Sequence, residues 1–175
     1  MPATDNPAET KAIRELDRLT NRYNSTEDAV DEAREKLRVC IVKHLRARSA
    51  PPGQIADHVP YDRNHVGRIG AEAVPPVTPL KGPNRDPNEP KPQYSDAVVA
   101  AALAELDEHT KEFRNAESKR DKAREALHEA IVRHYTDRNL GPGEIAQHSP
   151  YDRNHIMRLA RAAGAPHVRP RAGNA

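Results

Sequence analysis

The chain has 175 residues, of which 36% are hydrophobic and 31% charged, with one Phe and no Trp. So few aromatics exclude a large compact core and favour slender helical packing. The formal net charge is only +2, but it is segregated: the stretch up to Leu37 is acidic, and the ends of both halves are basic, which fits one anion-facing end better than a uniformly basic coat.

Ala, Arg, Glu and Leu dominate outside the prolines, and strand-like runs of Val, Ile, Thr and Tyr are absent, so an all-α chain is expected. No apolar stretch approaches the ~18–20 residues that cross a bilayer, and no basic-then-apolar leader precedes the first helix. A cytoplasmic location without membrane association is therefore expected. The lone Cys40 has no partner for an intrachain disulfide and reads as a small core residue within Val39-Cys40-Ile41-Val42.

The first element in the chain is a long helical pattern over 10–47. Leu16, Tyr23, Val30, Leu37 and His44 fall seven apart, with Leu19, Thr26, Ala33 and Cys40 three residues on. This is a coiled-coil-like seam. Ser25 or Thr26 followed by acids resembles a helix N-cap, so a break near Asn24-Ser25-Thr26 stays open. Turn signals follow at Ser49-Ala50-Pro51-Pro52-Gly53, then a short helix, Gln54-Ile55-Ala56-Asp57-His58. Pro60 disfavours helical geometry at Val59 and ends it. Asp62 is a natural N-cap for a further helix, with Val66, Ile69 and Ala73 on its inward stripe.

Residues 74–93 (VPPVTPLKGPNRDPNEPKPQ) are too proline-dense for a helix and favour an extended, partly stiff linker, reaching at most ~60 Å at ~3.1 Å per residue. The pattern then starts again. Residues 15–73 align with 105–163 without a gap, about half the positions being identical. The strongest match is Pro60-Tyr61-Asp62-Arg63-Asn64-His65 against Pro150-Tyr151-Asp152-Arg153-Asn154-His155. The second long helix, over 95–138, keeps Leu106, Phe113, Leu127 and Ile131 on the seam, while Lys119 and Arg120 interrupt it.

The expected fold is all-α, as two tandem modules, each a long helix followed by a helix-turn-helix. Module one covers 1–73, the linker 74–93, module two 94–166, and a basic disordered tail 167–175 carries Arg169 and Arg171. Each module is expected to fold by itself.

The steps Ile55, Ala56, Val59-Pro60-Tyr61, Val66, Ile69 and Ile145, Ala146, Ser149-Pro150-Tyr151, Ile156, Leu159 resemble helix-turn-helix domains. The stretch YDRNHVGRI looks like the recognition-helix region of sigma factors and bacterial recombinase tails. Pro60 and Pro150 depart from the glycine usual in that turn, and Ser149 stands where an apolar residue is usual. The resemblance covers ~25 residues per copy and implies double-stranded DNA as the partner, bound in the major groove.

On a helix starting at Asp62, the outward face carries Asn64, Gly67, Arg68 and Ala71, flanked by Arg63. In the second copy it carries Asn154, Met157, Arg158 and Arg161, flanked by Arg153. Arg reads guanine bidentately and Asn reads adenine, while Arg63 and Arg153 also suit phosphates. His44, His58 and His65 recur as His134, His148 and His155, reading as phosphate contacts or helix packing. No Cys or close His pair supports a metal site, and no nucleophile set, phosphate-cradling Gly loop or carboxylate pair points to catalysis or a cofactor. A non-enzymatic regulator or nucleoid-associated protein is expected. Homodimerisation through the long helices stays open, and the rival is a protein-interaction module acting through those helices.

Overall fold

The computed structural model describes residues 6–81, 87–88 and 90–165, so the expected tail at 167–175, with Arg169 and Arg171, and part of the linker lie outside the described residues. The chain is all-helical: α1 (Pro7–Ala47), α2 (Pro52–Asp57), α3 (Arg63–Glu72), α4 (Asp96–Thr136), α5 (Pro142–Gln147) and α6 (Arg153–Ala162), with no strand among the described residues. Each repeat thus contributes a 41-residue helix followed by two short ones.

α1 runs unbroken through Asn24-Ser25-Thr26, where the sequence left a break open. Thr26 caps nothing; its Oγ1 donates to the Tyr23 carbonyl at 2.7 Å, a bond that a hydroxyl makes without interrupting the helix. Both long helices end in the same way. Arg48 (φ 52°) and Arg138 (φ 57°) take the left-handed conformation, and the next amide reaches back five residues: Ser49 N–H to the His44 carbonyl and Asn139 N–H to that of His134, each at 3.1 Å. Glycine usually fills that position. Pro52 and Pro142 then open α2 and α5, where their missing N–H had no helical partner.

The chain forms two compact units, and neither coincides with a sequence repeat. One unit is Asp28–Ser118; the other joins Met1–Glu27 to Lys119–Ala175. Each therefore takes the carboxyl half of one long helix, the short helices that follow it, and the amino half of the other repeat's long helix.

In the Asp28–Ser118 unit the two long-helix halves run antiparallel. The Arg34 guanidinium lies 5.9 Å from the Phe113 ring centroid, while His44, further along α1, meets Glu105, earlier in α4. Val30, Leu37, Ile41 and Leu45 form the α1 side of the core, Ala102, Leu106 and Phe113 the α4 side, and Ile55, Val59, Val66 and Ile69 close it from the short helices. In the other unit Leu16 and Leu19 pack with Leu127, Ile131 and Tyr135, closed by Leu140, Ile145, Ile156 and Ala160. Arg120, which interrupts the seam, is accommodated by carboxylates: Asp121 at 3.0 Å and Glu27 at 3.7 Å. Burying each leucine or isoleucine contributes about 1.5–3 kcal/mol, and a repeat taken alone would lose Ala102, Leu106 and Phe113 from one core or Ala12, Leu16 and Leu19 from the other.

The linker is not wholly open. Its first residues are strapped onto the Asp28–Ser118 unit: Val77 N–H donates to the Gly70 carbonyl at 2.9 Å, Arg46 to the Pro75 carbonyl at 2.7 Å and Arg48 to the Thr78 carbonyl at 2.6 Å. Gly70 permits this approach. A Cβ there would lie 3.1 Å from Leu45 Cδ1 and 3.5 Å from Val77 Cβ.

The exchanged halves lead to an expectation that differs from self-sufficient modules. Fragments 1–78 and 90–175 should not melt cooperatively as helical monomers, whereas mixing them at equal concentration should restore helicity and a cooperative transition in a 1:1 complex. Circular dichroism with sedimentation analysis checks this; a fragment that melts cooperatively as a monomer would contradict the exchange.

Candidate nucleic-acid interface

α3 and α6 start identically because Asp62 and Asp152 cap them: each carboxylate accepts the backbone N–H of the histidine three residues on, at 2.8 Å. That amide, from His155, is what chiefly holds the Asp152 carboxyl below its ordinary value. Once the helix starts there, its periodicity fixes which side chains turn in. Val66 and Ile69 are buried in α3, Ile156 and Ala160 in α6. Ala73, expected inward, is only half-buried as the α3 C-cap, and Gly70 takes the buried place.

The remaining face of α3 exposes Arg63, Asn64, Gly67, Arg68 and Ala71 together. That of α6 exposes Arg153, Asn154, Arg158 and Arg161, while Met157 is half-buried. Among the described residues, none of Arg63, Arg68, Arg153, Arg158 and Arg161 has a carboxylate within ion-pair distance, in contrast to Arg34, Arg38, Arg124 and Arg133.

Behind each face sits the same support. Tyr61 stacks on His65 with ring centroids 4.5 Å apart, and Tyr151 on His155 at the same distance. His65 Nδ1 accepts from the Arg68 guanidinium at 3.3 Å, as His155 Nδ1 does from Arg158. The tyrosine orients the imidazole and the imidazole steadies the arginine. Burial raises the pKa of both tyrosines, so the rings behind the face stay neutral. Tyr151 is further fixed by His128, whose Nε2 lies 2.9 Å from its hydroxyl and whose pKa burial lowers.

The other recurrent histidines belong to the scaffold, each binding the other repeat's long helix. His58 Nδ1 meets Asp107 and His148 Nδ1 meets Asp17, both at 2.8 Å. Thr110 Oγ1 donates to the His58 carbonyl at 3.0 Å and Thr20 Oγ1 to the His148 carbonyl at 2.9 Å, satisfying the ends of α2 and α5. His44 Nε2 lies 3.1 Å from Glu105, and His134 Nε2 3.0 Å from Glu15. The signal was present in the sequence: Glu15-Leu16-Asp17 and Glu105-Leu106-Asp107 repeat together with the histidines, but nothing local says that each triplet serves the other copy.

No protein-family model matches this chain, and no curated protein or solved structure does either. What the faces can do therefore rests on their chemistry.

The two faces differ in surroundings. Beside α3 the strapped linker leaves a groove of about 1040 Å³, lined in part by Arg63, Gly67, Ala71, Val77, Leu80 and Tyr94. Gly67 has open space where a Cβ would stand.

The carboxylate clamp sets a pH dependence. The hydrogen bond from Arg133 is the largest influence on Glu15, and the net effect is a carboxyl held below its ordinary value of 4.5. A carboxyl depressed in the folded state adds stability above its unfolded value, and that contribution disappears as pH falls through the folded value. Stability should therefore drop below about pH 4.5, and Glu15→Gln should be less stable at neutral pH but flatter across that acid limb. Denaturant midpoints measured as a function of pH check this; parallel acid limbs in the two proteins would contradict it.

Proposed function

We propose that this chain binds double-stranded DNA, with α3 and α6 each entering a major groove. The observation that carries the reading is the twice-built outward face: an arginine steadied by a stacked histidine, beside a second arginine and an asparagine, with no carboxylate within ion-pair distance among the described residues. Surface arginines left without acids offer their charge to phosphate and their planar fork to a base edge. The resemblance of α2–turn–α3 and α5–turn–α6 to helix-turn-helix domains of sigma factors and recombinase tails supports the same use.

Roles follow from reach. Arg68 and Arg158 project mid-helix and suit guanine; Asn64 and Asn154 suit adenine. Arg63 and Arg153, at the helix starts beside the first-turn amides, suit phosphates. Gly67 lets the backbone of α3 approach closely, whereas Met157 meets a thymine methyl and Arg161 adds a phosphate or guanine contact, so α6 carries more of the affinity. A transcriptional regulator or nucleoid-associated protein is the corresponding role.

Use of the long helices as a partner-binding or homodimer surface has less support. Their apolar stripes are filled inside the units, and the exposed large hydrophobics among the described residues are Val39, Val74 and Val98.

Replacing Arg68 and Arg158 together with Ala should weaken duplex binding by about 1–3 kcal/mol per arginine and leave helicity intact. Wild-type affinity should also fall steeply with salt, because phosphate neutralisation releases counterions. Fluorescence anisotropy at several salt concentrations measures both. Unchanged affinity in a folded double variant would remove these arginines from the interface, and salt-independent or absent binding would remove DNA.

A further inference from the structure

A second site lies away from both outward faces, in the core of the Asp28–Ser118 unit. Cys40 and His44 stand one turn apart on α1, both almost fully buried, and Glu105 faces them from α4. One ligand atom from each lies within 4.8 Å of the others. The sequence was expected to hold no metal site, for want of a supporting Cys or close His pair; the Cys40–His44 spacing was visible, but the third donor comes from the other repeat.

The matching place in the other unit isolates what is special. There the equivalents are Ala130, His134 and Glu15, and the imidazole is saturated on both sides: Nε2 meets Glu15 at 3.0 Å and Nδ1 meets the Asn139 amide at 3.1 Å. In the Asp28–Ser118 unit Ser49 replaces that asparagine and Cys40 replaces the alanine. His44 Nδ1 is left buried without a hydrogen-bond partner, one helical turn from a thiol. What sets this unit apart as a donor set is the thiol one turn from the imidazole–carboxylate pair, where the other unit has only an alanine.

We propose that Cys40, His44 and Glu105 bind a divalent zinc-class metal ion. Sulfur, nitrogen and oxygen donors select this class over magnesium or calcium, which take oxygen. His44 Nε2 and Glu105 Oε2 are 3.1 Å apart, close to the ~3.3 Å edge of a tetrahedron with metal bonds near 2.0–2.1 Å. Cys40 completes the set by a small inward side-chain shift, and water takes the fourth position from the half-exposed Glu105 side. Lys43 Nζ lies 2.6 Å from Glu105 Oε1 and 2.7 Å from Oε2, so an ion on Oε2 would leave the ammonium to Oε1 alone. Binding transfers the thiol proton to solvent and forms a metal–thiolate bond, with no change in oxidation state. The thiolate and carboxylate supply two negative charges against the ion's two positive ones, with the Lys43 ammonium left toward solvent. The ion would tie α1 of one repeat to α4 of the other.

Cobalt(II) tests this directly, because a cobalt–thiolate bond has a near-ultraviolet charge-transfer band and tetrahedral cobalt absorbs strongly in the visible. Titrating the reduced, metal-free full chain with Co²⁺ should give both features, saturating at one equivalent and bleached by Zn²⁺. Cys40→Ala, which places at 40 the residue that the other repeat carries at 130, should abolish the charge-transfer band and lower Zn²⁺ affinity at least about tenfold. Cys40→Ser gives a second folded background, and Zn²⁺ should raise the melting temperature of the wild type but of neither variant. Cobalt bound without a charge-transfer band, or an equal zinc-induced shift in the variants, would overturn the site.

Discussion

The structure depends on one exchange: each pair of short helices is docked on the long helix of the other repeat. Packing alone would leave that docking free to slide along two smooth apolar stripes. Polar contacts fix the register. His58 with Asp107 and Thr110, and His148 with Asp17 and Thr20, hold the ends of α2 and α5 at one place on the partner helix. His44 with Glu105, and His134 with Glu15, hold the ends of the long helices. A hydrogen bond contributes about 0.5–1.5 kcal/mol net between neutral groups and about 1.5–3 where one partner is charged, so each contact is modest in energy. Their value is positional, since a one-turn slip would carry Glu105 and Glu15 away from the buried imidazoles of His44 and His134.

From that register the outward faces follow. α2 and α5 are fixed on the long helices, and the capped starts at Asp62 and Asp152 set the phase of α3 and α6 against them. The phase sends Val66 and Ile156 into the core and turns Arg68 and Arg158 out. Tyr61 and Tyr151 carry the order one step further by holding the histidines that steady those arginines. Preorganised arginines lose less conformational entropy on meeting a ligand than free ones.

Much of this was legible in the sequence. The gapless repeat, the heptad stripe from Leu16 to His44, the prolines opening α2 and α5 and the aspartate caps are local signals, and each has a local physical cause. The continuity of α1 past Thr26 was not legible, because a threonine that caps and one that bonds back to its own helix look alike in the sequence. The exchange was hidden for a deeper reason. The repeats are so similar that a stripe from one fits the short helices of either copy, and only three-dimensional packing chooses. The same blindness hid the Cys40–His44–Glu105 cluster and the role of the Glu-Leu-Asp triplets. The strap of Val77 on Gly70 was masked by the prolines around it, which signal an open linker whether or not the chain lies against a surface.

The central claim is that the exposed faces of α3 and α6 are where DNA binds, on a scaffold whose long helices are already occupied with each other. The most direct measurement is the amide spectrum of the isotopically labelled full chain, titrated with a short duplex at low salt. The account predicts that the largest shifts cluster at 61–71 and 151–161, with Arg68 and Arg158 among them, while the buried seam residues Leu37, Leu106 and Leu127 stay in place. Shifts confined to the long helices, or none at all, would contradict it.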